Sequence, residues 1–265
     1  MSHRRLRAIA PLSAILVLVA CGDPVTVPRF ELHDKLAAGQ TLSLRNLRGN
    51  ITVERATEGQ LAVIAQGVSD GSRPERVHIV SNAVGDGIAV CAIWGRDNRC
   101  ESGDYSPSGS GFWGKFGFRS GVDVNFTVQL PPGVKLDIRD VNGNVKVVGA
   151  TTDVLVHSVN GWITARTDGG ALELKTVNGA VTGEIASAPT RLVAESINGR
   201  VDVTGPADLA GDLEMSAING GVSSEFAITT TGNLNRRRLA GHIGTGGGLL
   251  KLKSVNGGVA LHKRA

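Results

Sequence analysis

The sequence predicts an all-β protein built on a short repeat. A β-branched residue followed by Asn-Gly occurs six times, with steps of 18, 18, 20, 21 and 37 residues between asparagines. Apolar and polar residues alternate on both sides of each Asn-Gly, which is typical of two short strands with one buried face each. A regular period of about twenty residues indicates stacked copies of one unit. The six phrases are Val141-Asn142-Gly143, Val159-Asn160-Gly161, Val177-Asn178-Gly179, Ile197-Asn198-Gly199, Ile218-Asn219-Gly220 and Val255-Asn256-Gly257.

The columns of the repeat separate buried from exposed positions. Counted from each Asn as zero, positions −6, −4 and +3 are apolar in every copy, whereas position −3 is polar. Position −2 is mostly small, as expected at a crowded corner: Asp140, Ser158, Thr176, Ser196, Ala217 and Ser254. The last step of 37 residues is close to two periods. We therefore expect that one copy in this interval has lost its Asn-Gly.

Two architectures satisfy this pattern, because Asn and Gly both tolerate positive φ and bend the chain readily. In an antiparallel meander, each Asn-Gly closes a hairpin. In a β-solenoid, which is similar to a parallel β-helix, each Asn-Gly is a corner, and like residues of successive copies lie about 4.8 Å apart. The regular period favours the β-solenoid.

Residues 1–20 have the pattern of a signal peptide. Three arginines precede a mostly apolar run of 13 residues, which is too short to span a bilayer as a helix. The run ends in Leu-Val-Ala-Cys at residues 18–21. This ending resembles the lipobox of bacterial lipoproteins, which implies cleavage before Cys21 and acylation of its thiol. Gly22 is not an inner-membrane retention signal, so the resemblance implies the outer membrane. An ordinary secretory signal with a chance cysteine is the alternative.

Removal of the signal changes the charge of the chain. The full sequence has 28 Lys and Arg against 24 Asp and Glu, and the three signal arginines leave 25 against 24. The mature chain therefore lacks the basic surplus of a nucleic-acid-binding protein, and we expect no nucleic-acid partner. Residues 21–40 are interpreted as the lipidated cysteine and a linker.

The repeat begins near residue 41, before the first Asn-Gly. Leu42, Leu44, Ile51 and Val53 fall in the apolar columns, and Arg48 stands where Asn belongs. Further strands are predicted on both sides of residues 85–87, and the repeat domain is assigned to residues 41–262.

Residues 92–120 interrupt the pattern with a loop rich in Gly, Ser and aromatic residues. Cys91 directly precedes this loop and Cys100 lies inside it. Such a pair in an exported protein is predicted to form a disulfide. The loop holds six of the ten aromatic residues: Trp94, Tyr105, Phe112, Trp113, Phe116 and Phe118. These rings either form a binding surface or fill the core of the N-terminal part, and the sequence leaves both interpretations open.

The stretch VDVNFTVQLPPGVKLDIRDVNGNVKVVG at residues 122–149, followed by serial V-N-G copies, resembles the bacterial putative-adhesin family with β-strand repeats. That family is a domain of unknown function, and the chain is also similar to head domains of auto-transporter adhesins. The resemblance covers about residues 30–262. It implies an all-β, solenoid-like fold and brings no catalytic residues. The chain departs from the pattern at Arg48 and between Asn219 and Asn256.

Catalysis has little support in the sequence. The histidines lack metal-ligand spacing, and we expect neither a metal nor a cofactor. The carboxylates Asp137, Glu173, Glu195 and Glu214 occupy outward columns and raise the alternative of a polysaccharide lyase or hydrolase. Arg139 and Lys175 share those columns, which favours a solvated ladder of mixed charges.

Trp162 is the remaining candidate contact. It lies at position +2, which alternation places on the outside. We therefore expect a lipid-anchored envelope protein whose non-catalytic scaffold contacts the membrane through its anchor and binds an unidentified protein or glycan. A carbohydrate-active enzyme and an envelope-stress or regulatory lipoprotein are the alternatives.

Overall fold

The computed structural model describes residues 29–57, 59–69, 77–94, 99–101, 104–106, 121–230 and 235–264. The first nine strands are β1 (Phe30–Asp34), β2 (Thr41–Arg48), β3 (Ile51–Arg55), β4 (Leu61–Ser69), β5 (Val77–Val84), β6 (Gly87–Trp94), β7 (Arg99–Glu101), β8 (Asp104–Ser106) and β9 (Val122–Leu130). The strands of the Asn-Gly copies follow as β10 (Lys135–Asn142), β11 (Val145–Ala150), β12 (Val154–Asn160), β13 (Ile163–Thr167), β14 (Leu172–Asn178), β15 (Val181–Ile185), β16 (Arg191–Asn198), β17 (Val201–Gly205), β18 (Gly211–Ala217) and β19 (Val222–Ser224). The last strands are β20 (Ile228–Thr230), β21 (Arg238–Ile243), β22 (Leu249–Asn256) and β23 (Val259–Lys263).

These strands form an all-β fold with two mixed sheets, and the described residues contain no helix. Sheet A has the order β1-β4-β9-β3-β11-β13-β15-β17-β23-β19. Sheet B has the order β20-β21-β18-β22-β16-β14-β12-β10-β2-β6-β5. Strands β7 and β8 form a separate antiparallel pair. The predicted all-β class is confirmed.

Each Asn-Gly copy gives the strand before the corner to sheet B and the strand after it to sheet A. Successive copies pair in parallel, with Asn142 opposite Asn160, Asn160 opposite Asn178 and Asn178 opposite Asn198. Arg48 lies opposite Asn142, so the first copy is also in register. Neighbouring copies therefore do not form the antiparallel hairpins of a meander.

The core lies between the two sheets and is built from the predicted apolar columns. The −6 and −4 side chains point inward from sheet B, and the +3 side chains point inward from sheet A, as Leu136, Ile138 and Val145 illustrate. Burial of one such aliphatic side chain stabilises the fold by about 1.5–3 kcal/mol. Because every copy contributes to the same continuous cluster, the core runs along the whole stack.

The order of the last copies differs from the sequence order. Strand β22 lies between β16 and β18, so the copy of Asn256 separates those of Asn198 and Asn219. The interval between Asn219 and Asn256 contains β20 and β21, and β21 pairs with β18 in antiparallel fashion. The expectation of a further copy that lost its signature is therefore wrong, because this interval forms an antiparallel end to sheet B.

The N-terminal end is also finished by antiparallel strands. Strand β4 pairs with β9 and β1 in sheet A, and β5 pairs with β6 in sheet B. Residues 30–34 were expected to belong to a linker, but they form β1. Leu32 and Phe30 are partly buried and pack against the core, which explains why this segment joins the sheet.

The predicted disulfide joins Cys91 of β6 to Cys100 of β7, with 6.1 Å between the two Cα atoms. Both cysteines are buried in a small second cluster with Ala89 and Ile93. Strand β6 is thus covered on both faces, because its alternate residues Val90, Ala92 and Trp94 belong to the main core.

Candidate functional site

Along the corner of the repeat, six asparagine side chains form a continuous chain of hydrogen bonds, called here the long asparagine row. In spatial order its members are Asn142, Asn160, Asn178, Asn198, Asn256 and Asn219. Five of the six Nδ2 atoms donate to Oδ1 of the neighbouring copy at 2.7–2.8 Å. At the head of the row, Asn142 Nδ2 donates to the Leu47 carbonyl at 3.3 Å. Such ladders stabilise stacked strands, because every amide fixes the orientation of the next.

The corner glycines are required by close packing rather than by backbone angle. Only Gly161 of the six has a φ in the positive range, at 149°. A Cβ at Gly179 would instead overlap the carbonyl oxygen of Gly161, and the other five corner glycines face a neighbouring glycine carbonyl in the same way. The expected explanation from positive φ is therefore wrong for most copies, and the neighbouring backbone excludes any side chain.

The small −2 residues close the inside of the corner. Hydroxyl groups of Thr176, Ser196 and Ser254 donate to the corner glycine carbonyl of the adjacent copy, at 3.1, 2.8 and 2.7 Å. These residues are buried, so the hydrogen bonds satisfy hydroxyl groups that are removed from water. The crowded corner predicted from this column is confirmed.

Asp140 is the one carboxylate in the −2 column. Its side chain is buried, and no described group hydrogen-bonds either carboxyl oxygen with good geometry. Burial raises the pKa of Asp140 to about 8, and the nearby Val141 N–H and Asn46 amide offset this only in part. The carboxyl is therefore mostly protonated at pH 7. Asn46, its register partner in β2, also has a buried Oδ1 without a described partner.

A second set of asparagines, the short asparagine row, lies at position +2 beside the head of the long row. It consists of Asn125, Asn50 and Asn144, which lie in register on β9 and just before β3 and β11. Each Oδ1 accepts a backbone N–H from the next copy, at 2.8 Å for Asn50, 3.0 Å for Asn144 and 3.1 Å for Trp162. No described group accepts a hydrogen bond from the Nδ2 atoms of these three amides.

An open groove of about 470 Å³ lies between the two rows. It is lined by Arg48, Gly49, Asn50, Asp123, Asn142 and Gly143. Arg48 and Asp123 form an ion pair across it, with both side chains about half exposed. The described residues that line the groove are therefore polar, and their charges cancel. Sequence reasoning missed it because its residues come from three separate segments, and the only local signal is an Asn two residues after the corner position.

Trp162 continues the short asparagine row by one copy. Its side chain is 47% exposed, which agrees with the outward position predicted from alternation. Trp162 lies one copy away from the groove, because the residue before it, Gly161, packs directly on the groove residue Gly143. Whether this ring contacts a ligand stays a prediction.

The other aromatic candidates have different outcomes. Trp94 is only 3% exposed and belongs to the main core. Its assignment as a binding residue is therefore wrong, because a buried ring cannot reach a partner. Tyr105 pairs with Cys100 through the backbone. The predictions for Cys21, Phe112, Trp113, Phe116 and Phe118 lie outside the described residues.

The outer face of sheet B carries mixed charges. Glu173 contacts Lys175 and His157, and Glu195 pairs with Lys251 at 2.7 Å. Partial burial alone would raise the pKa of Glu173, but hydrogen bonds from Lys175 and His157 hold it below its ordinary value. A low pKa is the opposite of what a general acid needs.

The remaining two carboxylates of this face are placed differently. Asp137 pairs with Arg45 at 2.6 Å and lies 3.7 Å from Arg139, whereas Glu214 lies in register with Lys251. The mixed-charge ladder predicted for these columns is therefore present.

An outer apolar row accompanies the long asparagine row on sheet B. It occupies position −1 and consists of Val141, Val159, Val177, Ile197, Val255 and Ile218. All six are at least partly exposed, and the two isoleucines are 45% and 53% exposed. At the strand spacing of about 4.8 Å, six copies extend over about 24 Å.

Within the described ranges, no group of three or more His, Cys, Asp or Glu side chains could hold a metal ion. The same ranges contain no helix with the length and apolar character needed to cross a membrane.

Comparison with known proteins gives two similar crystal structures. One, described as a putative cell adhesion protein from Clostridium sporogenes ATCC 15579, has a TM-score of 0.46 at 10% identity, covering 89% of this chain and 100% of that chain. The other, a putative adhesin from Bacteroides fragilis NCTC 9343, has a TM-score of 0.29 at 12% identity, covering 89% of this chain and 97% of that chain. No protein-family model and no curated protein matches the chain. The described strands define an all-β protein with two mixed sheets.

Proposed function

We propose that the protein is a lipid-anchored component of the bacterial cell envelope, in which a β-solenoid over residues 41–262 presents a non-catalytic binding surface for a protein or glycan. The in-register parallel pairing of successive copies supports the solenoid. Stacked repeats give long rigid faces that suit adhesion.

One observation carries the binding role. The outer apolar row exposes Ile197 and Ile218 beside four partly exposed valines, and Trp162 adds an exposed ring on the other side of the corner, although the interior is well filled. Contiguous exposed apolar surface of this kind marks interaction sites. Exposed tryptophan gives a large contact area with few rotatable bonds, and it is enriched among the residues that dominate binding energy.

We propose a non-catalytic role because the outward carboxylates are engaged in ion pairs. Glu173 and Glu195 are held by cations, and glycosidases need two carboxyl groups of different pKa facing one another across a cleft.

The binding role is tested by incubating the full chain with immobilised oligosaccharides and with purified extracellular-matrix proteins. Released reducing ends and unsaturated sugars are measured in the same samples. We expect saturable binding without product, weakened by the double variant Ile197→Ser/Ile218→Ser. Product formation that stops in Glu173→Gln or Glu195→Gln would show that the protein is an enzyme.

The lipid anchor is proposed from the sequence of residues 18–21. Two or more acyl chains on one cysteine anchor a protein firmly, since each buried methylene contributes about 0.8 kcal/mol. Cys21→Ser is expected to move the protein from the detergent phase to the aqueous phase in a phase-partition experiment, or to leave it unprocessed. Unchanged partition of the variant would refute the anchor.

A further inference from the structure

We propose that the groove between the asparagine rows, together with Trp162, is a binding site for a neutral saccharide. This proposal rests on the proposed binding role and narrows it to one ligand class and one end of the molecule. It concerns the polar groove at Arg48 and Asp123, which is distinct from the outer apolar row on sheet B.

The first argument is the orientation of the short asparagine row. In Asn125, Asn50 and Asn144, Oδ1 is held by a backbone N–H at 2.8–3.1 Å. This bond fixes the amide plane and leaves each Nδ2 as an unused donor at the strand spacing of about 4.8 Å. Donors held in place before binding lose little conformational entropy when a ligand arrives.

The second argument is the electrostatic balance of the groove. Arg48 and Asp123 neutralise each other, and the other lining groups are amides and glycine backbone. An anionic ligand would have to compete with Asp123, and a cationic ligand with Arg48. A ligand with many hydroxyl groups and no charge fits a site that offers both donors and acceptors.

The third argument is the aromatic ring at the end of the row. Trp162 follows Asn144 by one copy, its backbone N–H bonds to the Asn144 amide, and its side chain is exposed. The apolar face of a pyranose stacks on such a ring while its hydroxyl groups bond to neighbouring polar side chains. A few placed polar groups beside an aromatic surface are the usual composition of a small-molecule site.

The test uses the full chain and an array of neutral hexose and N-acetylhexosamine oligomers, with uronic-acid oligomers included. The oligomer with the strongest signal is then titrated by calorimetry. We expect a neutral oligomer to bind, with Trp162→Ala raising Kd by about tenfold or more. Asn144→Asp keeps the acceptor for the Trp162 N–H and removes the outward donor, so it is expected to raise Kd by about threefold to tenfold.

Two controls separate a local effect from loss of fold. Thr229→Ala changes an exposed side chain of β20, at the opposite edge of sheet B from the groove, and is expected to leave Kd unchanged. Thermal unfolding of each variant verifies that the fold is kept. Because the ligand is uncharged, Kd is also expected to stay constant between low and high salt.

Three outcomes would overturn the saccharide site. These are binding of uronic-acid oligomers alone, an affinity that Trp162→Ala and Asn144→Asp leave unchanged, and failure of every oligosaccharide while a purified protein still binds. The last outcome removes the saccharide and keeps the proposed binding role. Failure of all oligosaccharides and all proteins removes both.

Discussion

The two asparagine rows use the same side chain for different purposes. In the long asparagine row five of the six amides donate to the next amide, so the donors are consumed within the stack. In the short asparagine row each amide accepts a backbone N–H and keeps its own donor. The contrast shows that column position, rather than residue type, decides whether an asparagine supports the fold or presents a donor to solvent.

The largest expected effect comes from separating two copies of the long asparagine row. Gly179→Ala places a Cβ onto the Gly161 carbonyl oxygen, and neither backbone can move away. We expect a loss of about 3 kcal/mol of unfolding free energy, or failure to fold. The measurement is urea denaturation followed by circular dichroism.

Gly183→Ala is the matched control for that experiment. Its Cβ would meet Val203 Cγ2 at 3.4 Å, which is close to ordinary contact, and a strand interior favours Ala over Gly. We expect its unfolding free energy to stay within about 1 kcal/mol of the parent. Equal destabilisation by both variants would contradict the close approach of the corners.

The next largest effect is a pH dependence of stability at the head of the long asparagine row. There, Asp140 replaces the hydroxyl residue found in most other copies. Because its pKa is raised from 3.8 to about 8, the folded chain holds a proton that the unfolded chain releases between these pH values. The contribution of Asp140 to stability is therefore greatest below about pH 4 and falls as pH rises towards 8. Asp140→Ser is expected to remove this fall and to stabilise the protein at pH 8 by about 1–3 kcal/mol.

Thermal unfolding of both proteins from pH 4 to pH 8 measures this effect. Asp208→Ser, at an exposed turn, serves as a carboxylate control with a small effect. A stability difference between the parent and Asp140→Ser that does not change with pH would contradict a buried neutral Asp140.

The smallest expected effect is a difference in unfolding free energy between variants of the two asparagine rows. Asn178→Ala leaves the donor of Asn198 and the acceptor of Asn160 without their partner, so we expect a loss of about 1–2 kcal/mol. Asn144→Ala removes only the bond from the Trp162 N–H and is expected to cost about 0.5–1 kcal/mol. Urea midpoints at constant m-value provide the measurement. A larger loss for Asn144→Ala would reverse the roles assigned to the two rows.

The regular part of the fold could be predicted from sequence, because each copy repeats the same local pattern of apolar and polar residues. The apolar columns around Asn142, Asn160 and Asn178 fix which side of each strand is buried, and Arg48 was placed in the Asn column by its neighbours alone. The exposure of Trp162 follows from the same alternation.

Features that depend on contacts between distant segments could not be predicted. The copies of Asn219 and Asn256 have equivalent local patterns, so only packing decides which one pairs with the copy of Asn198. Alternation gives no guide to Trp94, because β6 is buried on both faces. The short asparagine row draws on β9 and on two residues that precede strands, and no single window of sequence contains it.

The position of β22 has a consequence for synthesis. Strands β18 and β19 leave the ribosome before β22 and β23, yet they pair with them in the finished sheets. Because β22 lies between β18 and β16, the β18–β21 pair reaches its final neighbour only after residues 249–256 have been made. A premature stop codon shortly before residue 249 would thus open a gap inside the array, whereas loss of a terminal unit from an ordinary repeat protein merely shortens it.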